Sequence, residues 1–182
     1  MNFTARSLNI FLVIALISLF LHPSCKKKEP GRYYSTEKGF SVKFPENWEI
    51  VEGHMGSTVL AKVPQDGSVL DFRNNVNVIA ENLSRDTSLD QYIELQVSSM
   101  RQAKNLILNY RIIEDGKMEI DRCPSRWFVA SYGIVTLRIR AVSCTMIRKH
   151  RGYVITGVFE EMKFNKYRKI FDEIVASFRF EQ

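Results

Sequence analysis

The run Arg126-Trp-Phe-Val-Ala-Ser-Tyr132-Gly133-Ile-Val-Thr136-Leu-Arg-Ile-Arg-Ala-Val-Ser-Cys-Thr-Met-Ile147 decides the fold. Residues 126–132 and 136–147 are rich in β-branched and aromatic side chains, which suit a pleated, half-buried surface. Gly133 sits between them, and a third such segment, Tyr153 to Phe159, follows Gly152. The connections are far too short for a parallel crossover, so the three segments predict an antiparallel meander.

Working outward, Leu106 to Glu114 and Lys117 to Arg122 flank Asp115-Gly116, a hairpin turn signal that predicts two further strands. Phe40 to Phe44, Thr58 to Val63 and Asn75 to Glu81 also read as strands, the second closed by the turn residues Pro64-Gln-Asp-Gly67. Between these two groups the period changes. Ser88-Leu-Asp-Gln91 has the form of a capping box. Leu89, Tyr92, Ile93, Gln96, Val97, Met100 and Ala103 follow at helical spacing, which predicts a helix ending near Lys104. A second helix closes the chain: Tyr167, Ile170, Phe171, Ile174, Val175 and Phe178 share one face, and Lys166, Arg168, Lys169, Asp172 and Glu173 the other. Two helices beside a mainly antiparallel sheet define an α+β fold. The pattern leaves open whether the helices share one sheet face or take opposite faces.

The amino terminus carries an address. Residues 10–21 form a twelve-residue apolar run after Arg6, followed by Pro23, Ser24, Cys25 and three lysines. Twelve residues fall short of the roughly 20 needed to span a bilayer, and the layout is that of a secretory leader. The run resembles a bacterial lipoprotein signal peptide over 1–24, with His22 where a leucine is usual. Cys25 would then be the mature, acylated (palmitate-type) N-terminus, the protein's attachment to the membrane. Acyl chains contribute about 0.8 kcal/mol per buried CH₂. Residues 25–32 read as a charged tether and 33–182 as one folded domain.

Cys123 and Cys144 remain. With Gly133-Ile134 at the hairpin tip they face each other across neighbouring strands, within reach of a disulfide. A three-residue tip instead pairs Cys123 with Thr145. An extracytoplasmic address favours oxidation of a close pair.

The chain carries a formal charge of +6, and the 38 residues from Arg122 through Phe159 hold no acid. Arg126, Arg138, Arg140, Arg148, Lys149 and Arg151 fall in or beside the meander and form a candidate basic binding face for an anionic surface. A solvated face, or pairing with acids from elsewhere, is the plainer reading. His54 beside Glu52 is a meagre start for a metal site. Neither ligand spacing for a metal nor a nucleophile elbow or phosphate loop is present, so neither catalytic residue, metal nor cofactor is assigned.

Gly39-Phe-Ser-Val-Lys-Phe-Pro-Glu-Asn-Trp48 resembles the opening of PsbP-type domains. Asn75-Val-Asn-Val78, Ser88-Leu-Asp-Gln-Tyr92, Arg126-Trp127, Arg151-Gly-Tyr-Val-Ile-Thr156 and Ile174-Val-Ala-Ser-Phe178 continue the resemblance in order, over about 33–182. It implies an α-β-α sandwich with a central, mainly antiparallel sheet, in a family of non-catalytic binding modules that includes photosystem II subunits and bacterial lipoproteins. Together these readings predict a lipid-anchored protein of the bacterial cell envelope, on its periplasmic face or the cell surface. It would bind an envelope or extracellular protein or the membrane surface, and no nucleic acid. An adhesin that engages acidic ligands through the basic face is the alternative, and a small hydrolase a distant third.

Overall fold

The computed structural model describes residues 29–65, 67 and 72–181. The leader and Cys25 lie outside the described residues. Among the described residues, ten strands and two α-helices run in the order β1 (Arg32–Ser35), β2 (Phe40–Lys43), β3 (Glu49–Glu52), β4 (Val59–Lys62), β5 (Asn75–Asn82), α1 (Leu89–Gln102), β6 (Leu108–Ile120), β7 (Cys123–Ile134), β8 (Leu137–Arg148), β9 (Arg151–Glu160), α2 (Phe164–Ser177) and β10 (Arg179–Phe180). Seven strands form the main sheet, in the order β3-β4-β5-β9-β8-β7-β6, and β1, β2 and β10 form a small second sheet. Each pairing in both sheets is antiparallel. Arg32 opens β1, and Glu29 bonds both Arg32 and Lys43. Part of the segment read as a tether is therefore packed on the domain.

The meander is present, but its turns differ from those expected. Asp115-Gly116 makes no turn: β6 runs straight through it, with Gly116 opposite Trp127. A Cβ on Gly116 would lie 2.8 Å from the Trp127 indole nitrogen. The glycine therefore makes room for a cross-strand indole. The β6–β7 hairpin instead turns at Asp121-Arg122, where both residues have positive φ, the geometry of a two-residue primed turn. Lys149-His150 does the same between β8 and β9.

Between β7 and β8 the tip is Val135-Thr136, because Ile134 pairs with Leu137. This register overturns the expected disulfide. Trp127, four residues beyond Cys123, stands opposite Cys144. At about 3.3 Å per residue the two cysteines are roughly 13 Å apart along the strand, too far to bond. Both are buried free thiols. The Cys123 thiol lies 3.4 Å from the Ile147 carbonyl oxygen, and the Cys144 thiol 3.7 Å from the Met118 sulfur.

Alternation along the strands divides the main sheet into two faces. One carries Val129, Val142, Cys144, Met146, Ile155 and Phe159, and it packs under α2 and the small sheet. Phe164, Tyr167, Phe171, Ile174 and Val175 of α2 are buried there. Phe40 stacks on Phe178 at 5.4 Å, and Phe159 on Tyr167 at 5.4 Å. One core cluster of 25 residues fills this side. The other face is covered by α1, whose buried side chains are Tyr92 and Val97 alone. The capping box holds its first turn: the Ser88 hydroxyl accepts from the Gln91 amide at 3.2 Å, and the Ser88 amide donates to the Gln91 side chain at 2.9 Å.

Candidate functional site

Tyr92 brings α1 down onto the sheet. Its ring lies over Gly152 of β9, where a Cβ would come within 2.5 Å of it. Its hydroxyl donates to Glu81 of β5 at 2.6 Å. One and a half turns further on, Val97 packs against Phe128 and Ala130 of β7. Between and beyond these two buried supports the helix touches the sheet only lightly, through Gln96, Ile93 and Met100. The floor here is made of small side chains, Ala130, Ala141, Ser143 and Thr156, too short to reach it.

The gap is a cleft of about 380 Å³, within the range of small-molecule sites. Tyr110 and Tyr132 close one end, their rings 6.0 Å apart and tilted by 30°. Ile79, Val154 and Val158 line the β5–β9 side, and Met100 the helix side. Larger hollows lie beside β1–β3, about 640 Å³, and on the outer side of α1, about 550 Å³. Both are lined mainly by polar, exposed or half-exposed residues. The smaller cleft is the better candidate because it is the more enclosed, between aromatic and aliphatic side chains with a few convergent polar groups.

Those polar groups are specific. Ser143 and Thr156 hydrogen-bond across β8 and β9 at 3.1 Å. Gln96 of α1 accepts from the Thr145 hydroxyl at 3.4 Å. Its amide nitrogen is buried without a hydrogen-bond partner. Burial raises the hydroxyls of Tyr92, Tyr110 and Tyr132 above the usual phenol range, and the Glu81 carboxylate adds to this at Tyr92. All three stay uncharged at physiological pH. Gln96 is the one residue at that helical spacing not suited to a buried stripe, and it is the trace this cleft leaves in the sequence.

The six basic residues singled out in the sequence do not form one face. Arg126 lies on the α1 side and bonds Asp90 at 2.9 Å and Asp115 at 3.3 Å. Arg140, on the other side, bonds Glu161 at 2.9 Å and lies 5.3 Å from the Phe164 ring centre. Arg138 is exposed at the start of β8 and Arg148 at its end, ten residues away. At about 3.3 Å per residue that is roughly 33 Å. Arg148 covers the Phe180 ring at 4.4 Å, and Arg151 donates to the Glu37 carbonyl at 3.1 Å. Lys149 is exposed at the turn tip. An acid-free stretch of sequence does not become an acid-free surface when β6, α1 and the turn before α2 bring carboxylates to it.

His54 lies in an exposed turn, and among the described residues no group of three or more His, Cys, Asp or Glu side chains could hold a metal ion. Among them, too, no helix is long and apolar enough to cross a membrane.

Sheet, helices and strand order together define a PsbP-type domain. The PsbP family model matches residues 29–180, and the chain belongs to that family. No curated protein matches the sequence. Among solved structures, the chain is similar to cyanobacterial PsbP from Synechocystis sp. PCC 6803, with TM-score 0.64 and 14% identity over 86% of this chain and 97% of that one. It is similar also to LpqN of Mycobacterium tuberculosis, a protein involved in cell envelope biogenesis, with TM-score 0.65 and 10% identity over 85% and 87%. A Pseudomonas aeruginosa protein of unknown function, described as a putative regulator, matches with TM-score 0.54 and 10% identity over 80% and 93%. At such identities the likeness is one of fold.

Proposed function

We propose that this chain is a non-catalytic, lipid-anchored protein of the bacterial cell envelope, an α-β-α sandwich that binds its target through the cleft under α1. The observation that carries the reading is the cleft itself: an apolar hollow with an unpaired amide nitrogen, on the sheet face that its helix covers incompletely. Membership of the PsbP family supports a binding module, and the fold shared with LpqN supports an envelope setting. The apolar leader ending at Cys25, followed by lysines, supports the anchor. The basic residues support an adhesin less well, since Arg126 and Arg140 are neutralised within the domain.

Two measurements test this. Cys25→Ser should move the protein from the detergent to the aqueous phase on Triton X-114 partition; a wild-type chain that is already aqueous contradicts the anchor. A photo-crosslinking residue at Ser99, on the cleft rim, should give a discrete adduct in intact cells. The same residue at Lys169, on the outer side of α2, should not. Equal labelling from both, or none from either, contradicts the cleft as the binding site.

A further inference from the structure

The charges around the cleft narrow what it can hold. The chain is basic, at +6, yet neither lysine nor arginine lines this hollow. Its one charged residue is Glu81, and that carboxylate already accepts from Tyr92. An anion entering here would give up water and find no cation in the lining, with Arg101 acting on Tyr110 only from outside it, a costly exchange. A phosphate, a sulfate or a fatty carboxylate is therefore a poor occupant.

A purely hydrocarbon occupant leaves something undone. The Gln96 amide has one end on Thr145 and the other buried and unpaired. A buried polar group without a partner is costly, and a ligand that supplies the partner recovers that cost. The cleft that this amide borders is lined by rings and small apolar side chains: Tyr110, Tyr132 and Phe128, with Ala130 and Ala141 on its floor. Such a slot fits a flat ring or short branched skeleton whose one polar group reaches Gln96.

We propose that the cleft is a site for a neutral, mainly apolar small molecule that carries one hydrogen-bonding oxygen, such as a ketone, ester or alcohol, received by Gln96. This rests on the cleft being the binding site and adds the chemical class of what binds. Such an occupant can come from a membrane as a neutral lipid fragment or from solution as a free ring compound; the recognition chemistry is the same.

Methionine methyl signals test the proposal on the full chain held in lipid nanodiscs, with protein-free nanodiscs as baseline. Met100 lines the cleft, Met162 is exposed elsewhere, and Met146 is buried on the opposite face. Titration with 2-acetylnaphthalene should shift the Met100 methyl saturably and leave Met162 and Met146 in place. The isosteric anion 2-naphthoate should bind about tenfold or more weakly, because its charge would be buried unpaired. Gln96→Leu should weaken the ketone and leave 2-ethylnaphthalene unchanged. Ala141→Phe should abolish the shift while an unchanged Met146 signal reports a kept fold. Should that variant lose the Met146 signal, Gln96→Leu still decides.

An unmoved Met100 signal overturns the proposal. So does equal or tighter binding of 2-naphthoate or of a trimethylammonium naphthalene. A protein adduct at Ser99 with no small-molecule shift at Met100 would leave the cleft as a binding site and refute the ligand class alone.

Discussion

The two faces of one sheet have been given opposite tasks. Under α2, five helical side chains and the small sheet close over the strands, and aromatic rings interlock down to Phe40, Phe171 and Phe178, each without solvent exposure. Under α1, two buried side chains hold a helix of the same length, 14 residues, above a floor of alanine, serine and threonine. Helix length and amphipathic spacing are similar; the difference lies in the sheet. Where the strands present Val, Ile, Met and Phe, the helix is drawn into close packing. Where they present Ala130, Ala141 and Ser143, it is held at its supports and a cavity remains. Stability comes mainly from the first face, which leaves the second free to bind.

The largest effect should come from breaking the closed face. Phe171→Ala removes a fully buried ring beneath α2 and should cost about 3–5 kcal/mol. A denaturant midpoint near that of the wild type would contradict the assignment of stability to this face.

A second test uses its thiols. Burial pushes the Cys144 thiol up to about 12 from 9.0. The folded state thus favours the neutral thiol, and the unfolded chain gives up its proton first. This contribution to stability is complete below about pH 9 and is lost as pH rises from there toward 12, with a slope of up to about 1.4 kcal/mol per pH unit. Cys144→Ala should flatten that part of the alkaline unfolding profile. The raised tyrosines Tyr92 and Tyr132 add to the slope in both proteins. An identical slope in the variant would contradict a sealed thiol. By mass, alkylation of the unfolded, unreduced domain should mark both Cys123 and Cys144, because neither is in a disulfide.

The open face should be less sensitive at its helix cap. Ser88→Ala removes the side-chain acceptor for the Gln91 amide and should cost about 1 kcal/mol. Hydrogen exchange should show the loss in α1 and not in α2. Equal loosening of both helices would mean that the faces are not independent.

Much of this comparison could be read before any fold was known. The second helix, the capping box at Ser88–Gln91 and the meander all follow from period and turn spacing, which are local properties. The turn positions were less legible. Asp-Gly is a strong hairpin signal, yet at 115–116 the cross-strand demand of Trp127 for a glycine overrides it. The real turns use Asp121-Arg122 and Lys149-His150, residues that tolerate positive φ without announcing it. That two-residue difference at the β7–β8 tip is also what separates Cys123 from Cys144. The short strands β1, β3 and β10 read Arg-Tyr-Tyr-Ser, Glu-Ile-Val-Glu and Arg-Phe, with no run of apolar–polar alternation to mark them. The cleft was least legible of all, because a gap is set by what strands distant in sequence leave unfilled.

The most direct test compares two alanines, each on its own face. Ala61 is wholly buried in the core cluster of the closed face, and Ala141 lines the cleft. Each is changed to leucine, and the unfolding midpoint is measured in denaturant. Ala61→Leu has nowhere to put the added carbons and should lose about 1–3 kcal/mol, whereas Ala141→Leu projects into open volume and should stay within about 0.5 kcal/mol of wild type. Equal losses at the two positions would contradict the account, since they would mean that the face under α1 is packed as tightly as the face under α2.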